Sequence, residues 1–313
     1  MNPRSRLALL VALALSGATV FGACGSSSDD STSGDSGSAA VDQYPAPTAA
    51  PDGAKKGGSL TVIAASDVDY IDPGATYYQF GYMVTAATQS PLVGWAPPDV
   101  EQPTPLLAAS EPTVSADGKA ITYKLRDGVM FSPPVNREVT AADVKYAIER
   151  TLLPGVANGY IQTYLGGVVG FDEAAKQAQS DPTGGAPDIK GITTPDDHTL
   201  VIKLDNTTSV GVIGALSLPA SAPVPEEYAK KYDAENPSTY GEHQVATGPY
   251  MIENNSSGEA TGYTPNKEIH LVRNPNWNPD GDFRPAYLDE ITFQEGFADT
   301  VSASKKIMSG SAE

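Results

Sequence analysis

The chain has 313 residues, 38 acidic against 20 basic side chains, a formal charge of −18 and one cysteine. That acidity argues against a nucleic-acid partner, which needs a basic surface for the phosphates, and a lone cysteine excludes an internal disulfide framework or a cysteine-rich zinc site. The length allows one large or two ordinary domains with a real core, and 15 Tyr against 7 Phe and 2 Trp suits rings at half-wet surfaces.

Arg4 and Arg6 precede an apolar stretch, Leu7 to Val20, interrupted by Ser16, Gly17 and Thr19. It is shorter than the roughly 20 residues of a spanning helix, so residues 1–23 read as a signal peptide. Phe21-Gly22-Ala23-Cys24 resembles a bacterial lipobox, with cleavage before Cys24 and a diacylglycerol on its thiol, although Phe21 departs from the usual aliphatic residue. The alternative is an ordinary cleaved signal with an incidental cysteine. Two acyl chains on one thiol suffice for stable anchoring. Residues 24–56 are rich in Ser, Gly and Asp, then in Pro and Ala. Such a stretch buries too little apolar surface to order itself and reads as a flexible tether, reaching on the order of 30 Å. The folded part is expected over residues 57–313.

Within it, Ser59 to Ala65 reads as a buried strand, followed by an Asp-rich loop from Ser66 to Gly74. Tyr77, Phe80, Tyr82, Met83 and Val84 lie roughly at helical spacing before Pro91. Glu111–Ser115 and Ala120–Leu125 flank Asp117-Gly118, a hairpin signal. Thr140 and Asp143 suit a capping box, and Val144, Ala147, Ile148 and Leu152 form one helical face that Pro154-Gly155 ends. A second hairpin is expected from Asp188–Thr193 and Thr199–Leu204 across Pro195-Asp196-Asp197-His198. Glu226–Ala234 predicts a helix. Tyr250–Glu253, Glu268–Arg273 and Leu288–Phe293 predict strands, and Asp299–Met308 a last helix. Hairpins mixed with helices indicate an α/β, mixed α+β body.

The residues carry no nucleophile elbow, phosphate-binding loop, dinucleotide fingerprint or paired-histidine zinc helix. His198, His243 and His270 lack ligand spacing, so neither a catalytic residue nor a cofactor is expected. Asn276, Asn278, Asp280 and Gly281 match half of a calcium loop, but Tyr287 stands where the closing carboxylate belongs, which favours a plain connecting loop. Tyr77, Tyr78, Tyr160 and Tyr164 border Gly- or Pro-bounded segments, where their rings either line a cleft or simply pack.

Several stretches taken together resemble the family 5 extracellular solute-binding proteins, the peptide- and nickel-type receptors of ABC importers. They include Gly57-Gly58-Ser59-Leu60-Thr61-Val62, Ile71-Asp72-Pro73, Tyr123-Lys124-Leu125-Arg126-Asp127-Gly128-Val129-Met130-Phe131 and Val139-Thr140-Ala141-Ala142-Asp143-Val144. Ala222-Pro223-Val224-Pro225-Glu226, Thr247-Gly248-Pro249-Tyr250, Arg273-Asn274-Pro275-Asn276-Trp277 and Tyr287-Leu288-Asp289-Glu290-Ile291 continue the series in the family's order. Ser132-Pro133-Pro134-Val135-Asn136-Arg137 replaces the family's usual Asp-Gly turn.

The resemblance implies a periplasmic-binding-protein-like type II fold, of which residues 57–313 would be essentially the first lobe, with the second missing as in a truncated chain. It implies a non-enzymatic, monomeric, lipid-anchored protein on the outer face of the cell membrane. Such a protein captures a small solute, expected to be a peptide, and delivers it to an ABC permease and its ATPase by closing two lobes around it. With one lobe, residues 25–313 alone should bind weakly or not at all. Tyr77, Tyr78, Tyr160 and Ser221 are the expected ligand-facing residues, and Cys24 the lipidated one. Two other readings stay open: a secreted lipoprotein hydrolase with an unrecognised site, and a receptor subunit that senses rather than delivers.

Overall fold

The computed structural model describes residues 53–97, 101–182, 184–205 and 209–310, all within one compact unit, Pro45–Glu313. The leader, Cys24 and the tether as far as residue 52 lie outside the described residues. β1 (Ser59–Ile63) runs through the Asp-rich loop to α1 (Gln79–Thr88), then β2 (Val93–Gly94) and β3 (Thr104–Pro105) pair with each other. β4 (Thr113–Val114) and β5 (Ala120–Lys124) form the first hairpin, followed by α2 (Ala141–Arg150), α3 (Ile161–Leu165) and α4 (Phe171–Ser180). β6 (Ile192–Asp196) and β7 (Thr199–Lys203) form the second, followed by α5 (Ser209–Ala215) and α6 (Glu226–Asp233). β8 (Tyr250–Ile252), β9 (Tyr263–Thr264), β10 (Glu268–Arg273), β11 (Glu290–Gln294) and α7 (Thr300–Met308) complete the order.

The strands build two main sheets. One has the order β1-β11-β10-β8, with β9 also on β10; β1 and β11 are parallel and the rest antiparallel. The other is antiparallel, in the order β4-β5-β7-β6. Alternation decides which side is buried: Ile121 and Tyr123 on β5 are wholly inside, opposite Ile202 and Leu200 of β7. They pack with Ile148 of α2, Leu165 of α3 and Phe171 of α4. A second cluster joins Val84 of α1 to Ile269, Leu271 and Phe293 of the first sheet.

Most expected elements stand within a residue or two of their predicted bounds, with two differences. The second hairpin turns later than its Pro-Asp-Asp-His sequence suggests. β6 continues through Pro195 to Asp196 because the register shifts between Thr193 and Asp196, and a proline needs no ladder partner at such an irregularity. The Asp196 carboxylate then accepts the His198 N–H and the Thr199 hydroxyl, which closes the turn on Asp197-His198. Helices α3, α4 and α5 were not expected. Two are only five and seven residues long, and α4 turns inward just Phe171, Ala174 and Ala178. Alanines make a faint apolar stripe.

The cap of α2 forms as its sequence indicates, with one Asp143 oxygen accepting both the backbone N–H and the hydroxyl of Thr140. Asp143 also takes two N–H groups of Arg137, whose other bonds reach Glu227 on α6. The unusual Ser132–Arg137 turn therefore clamps two helix N-termini.

At the other end of α2, Arg150 is completely buried. Its Nε and Nη2 donate to Asp233 of α6 at 2.8 and 2.5 Å, and its Nη1 and Nη2 to Asp72 of the Asp-rich loop at 2.9 and 2.8 Å. Asp233 also accepts the hydroxyls of Tyr146 and Ser238, Asp72 accepts the Gly74 N–H, and the Tyr240 ring lies 4.6 Å from the guanidinium carbon. Burial works against every one of these charges, yet the two carboxylates hold Arg150 protonated, and Arg150 keeps Asp233 below the usual carboxylate range. Gly74 is required here, since a Cβ would come within 2.4 Å of the Arg150 Nη1. Arg150→Met should cost about 3–5 kcal/mol in urea denaturation, because two buried carboxylates lose their counter-charge. An unchanged midpoint would show that the triad does not bear on stability.

A second buried carboxyl has the opposite character. Glu295, just past β11, is 7% exposed, and its two oxygens have no hydrogen-bond donor among the described residues. Its pKa is pushed up to about 7 by burial and then by the Asp67 carboxylate, which itself accepts from the Val68 and Asn266 N–H groups and the Tyr263 hydroxyl. The folded protein thus holds this proton more firmly than the unfolded chain. The stabilisation is complete below about pH 4.5 and is lost as pH rises through about 7. Glu295→Gln should raise the melting temperature at pH 8 and leave it nearly unchanged at pH 5, so that the variant's melting curve depends less on pH between the two.

Candidate ligand site

Tyr77 and Tyr78 stand at the entrance to α1, and Asp69 puts them there. One Asp69 oxygen accepts the Thr76 hydroxyl at 2.5 Å, the other the backbone N–H groups of Tyr77 and Tyr78 at 2.7 and 3.2 Å. A carboxylate is favoured at this end of a helix, where donors lack partners. Gly81 permits the arrangement, for a Cβ there would lie 1.9 Å from the Thr76 hydroxyl. Asn158 does the same for α3: its side-chain oxygen accepts the N–H groups of Tyr160 and Ile161, and its Nδ2 donates to the Gly74 carbonyl at 2.6 Å.

These two entrances bring four tyrosines together. The Tyr77 ring centre lies 4.8 Å from that of Tyr160 and 6.2 Å from that of Tyr82, and Tyr160 meets Tyr164 edge-on at 6.1 Å. The hydroxyls of Tyr77 and Tyr164 are 3.0 Å apart. Tyr77, Tyr160 and Tyr164, together with Tyr78 and Asp69, line an open cavity of about 690 Å³, within the range of small-ligand sites. Its rings are unusually exposed for their size, Tyr78 at 69% and Tyr77 at 45%. Burial, followed by Tyr77, Tyr164 and Asp69, pushes the Tyr82 phenol up to about 12, and burial raises Tyr160 as well. The raised Tyr82 and Tyr160 phenols are neutral at physiological pH. Among the described residues, Asp69, whose oxygens already accept three donors, is the only carboxylate on the wall. The cavity offers aromatic faces and hydroxyls, which suit amide groups.

The structure brings Tyr77, Tyr78 and Tyr160 to one cavity. Ser221 is elsewhere: it is 3% exposed and its hydroxyl donates to the Leu216 and Leu218 carbonyls. Its short 3-10 turn, Pro219–Ser221, packs against α1 and α2. Asp69, Asn158 and Tyr82 were missed by the sequence reading. Asp69 lies nine residues ahead of the N-cap position Tyr78, too far for a capping signal to be read in the sequence.

Tyr82, whose ring touches Tyr77, lines a second cavity of about 320 Å³, with Trp95, Leu106, Pro219, Phe283 and Arg284 among its walls. The Tyr82 hydroxyl is buried without a hydrogen-bond partner among the described residues. The calcium-like loop nearby is turned onto the chain itself. Asn276 donates to the Phe131 carbonyl and to Asn136, Asn278 accepts the Asp280 N–H, and the Asp280 carbonyl accepts from Arg126. Among the described residues, no group of three or more His, Cys, Asp or Glu side chains is placed to hold a metal.

Comparison with known proteins decides the family. Residues 102–312 match the model of the bacterial extracellular solute-binding proteins, family 5, middle region. The chain belongs to that family. This solute-binding protein is 29% identical over 210 residues to the peptide transport periplasmic protein SapA of Haemophilus influenzae, covering 62% of this chain and 35% of SapA. Its fold matches the clavulanic acid biosynthesis oligopeptide binding protein 2 with a TM-score of 0.68 at 26% identity, over 83% of this chain and 44% of that one. The Haemophilus influenzae OppA complex with the peptide RPPGFSPFR matches with a TM-score of 0.62 at 20% identity, over 82% and 45% of the two chains. The fold is the type II periplasmic-binding-protein fold, and the chain spans less than half the length of these relatives. Among the described residues, no helix is long and apolar enough to cross a membrane.

Asp69→Ala should cost about 1 kcal/mol of stability, as loss of a cap does. Hydrogen exchange should accelerate at the Tyr77 and Tyr78 amides and stay slow at Ile269 and Leu271; equal acceleration at both places would mean that Asp69 supports the whole fold rather than the cavity.

Proposed function

We propose that this solute-binding protein captures a peptide in the tyrosine-lined cavity and hands it to an ABC permease with its ATPase. The observation that carries the reading is the convergence of Tyr77, Tyr78 and Tyr160 on an open 690 Å³ cavity in a chain of this family. Neutral phenols hydrogen-bond to peptide amides, and ring faces accept side chains of varied shape. The printed names of its relatives, a peptide transport protein and oligopeptide-binding proteins, support the same ligand class. Capture makes and breaks no bond. It proceeds by closure of two lobes, with ligand shifting the population to the closed form.

The protein acts as a monomer, held to the outer face of the cell membrane by a diacylglycerol on Cys24 and kept clear of it by the tether of residues 24–56. The support for the anchor is the small-residue run before the single cysteine and the polar stretch after it. Cys24→Ser should move the protein from the membrane fraction to the soluble fraction without changing its melting temperature; retention in the membrane would remove the lipid anchor from this account. For the ligand, calorimetry on the protein purified from its native host should show tetra-alanine binding, weakened about fivefold in Tyr160→Ala, the loss of one ring contact being worth about 1 kcal/mol. Absence of binding by tetra-alanine and by longer peptides alike would refute peptide capture.

A further inference from the structure

The second cavity differs from the first in its chemistry. Every charge on its wall is already neutralised. The Arg284 guanidinium donates to Asp282, to the Ala86 and Gln89 carbonyls and to the Ser90 hydroxyl. Asp282 in turn accepts the Trp277 indole N–H, and Arg284 holds its carboxyl below the usual range against the opposing effect of burial. The amide nitrogen of Gln89 is bonded to Gln244 and the Val245 carbonyl. Among the described residues, no charged group on this wall is left over to bind an ion.

What remains is apolar. Trp95 is 47% exposed, yet its indole N–H donates to Ser217 at 3.1 Å, and Ser217 donates to the Gly214 carbonyl. A large ring facing water is normally free to move; this one is tied in place over a cavity that Leu106, Leu218, Pro219 and Phe283 complete. At about 320 Å³ the space is at the lower limit for ligand pockets, enough for one ring and too small for a whole peptide. Tyr82 links it to the first cavity, since that side chain lines the second while its ring touches Tyr77.

We infer that the cavity behind Trp95 is a side-chain pocket that receives one uncharged aromatic or branched aliphatic residue of the peptide bound in the tyrosine-lined cavity. The inference rests on the peptide reading and adds a preference to it. Charged residues are disfavoured there because they would lose hydration with no partner to replace it. Rings are favoured by apolar burial and by stacking against Trp95 and Phe283.

The test uses the protein purified from its native host and tetra-alanine in which a single Phe, Lys or Glu is moved through the four positions. At one position Phe should tighten binding at least about tenfold over tetra-alanine, while Lys and Glu at that position should not. The Phe-to-Ala ratio should fall towards one in Trp95→Ala, a rim residue whose loss the fold tolerates, and in the separate variant Leu106→Ala. Equal affinities for Phe and Ala at all four positions would overturn the pocket and leave peptide capture standing. If no peptide binds but N-acetylphenylalaninamide quenches tryptophan fluorescence, with the quench lost in Trp95→Phe, the pocket stands and peptide capture fails. Failure of both probes removes both.

Discussion

The buried guanidinium of Arg150 is the constraint on which the candidate site depends. A charge with no access to water must be matched on the spot, and its two matches come from places distant in sequence: Asp72 in the loop after β1 and Asp233 at the end of α6. Satisfying Arg150 therefore docks the Asp-rich loop against α2. Once Asp72 is docked, Gly74 lies against the guanidinium, and its carbonyl is where Asn158 anchors the entrance of α3. A few residues before Asp72, Asp69 aims Tyr77 and Tyr78. One ion triad thus sets the spacing between the two helix entrances whose tyrosines form the cavity.

The cavity and its neighbour divide the chemistry of recognition between them. The first has exposed phenols, able both to donate and to accept hydrogen bonds. The second has rings and prolines around an arginine and an aspartate that satisfy each other. Other carboxylates close turns or cap helices, as the exposed Asp196 and the buried Asp143 do.

Residues whose role is local were readable in advance. Asp117-Gly118 turned the first hairpin, Thr140 and Asp143 started α2, and the alternating strands at Glu268–Arg273 and near Leu288–Phe293 formed close to where their patterns lay. Elements whose stability is borrowed from neighbours were not readable. α3 is too short to hold itself together and exists because Asn158 caps it and Leu165 enters the core. Ser221 illustrates the same limit from the other side: a serine between alanines and prolines carries no sign that its hydroxyl will turn back onto two carbonyls of its own loop.

The sequence by itself determined the order of strands and helices, the hairpin turns and the family, and it pointed to tyrosines as the site's chemistry. Periodicity, turn residues and caps act over a few positions, so one chain segment contains the whole signal. Only the tertiary structure decided which tyrosines meet, that an arginine and two distant aspartates hold them in register, and that Trp95 is tied over a pocket of its own. Those facts depend on the pairing of β1 with β11, more than 200 residues apart in the chain, and on the burial of charges that look solvated in the sequence. Both arise when segments pack, where the desolvation of one group is settled by the position of another.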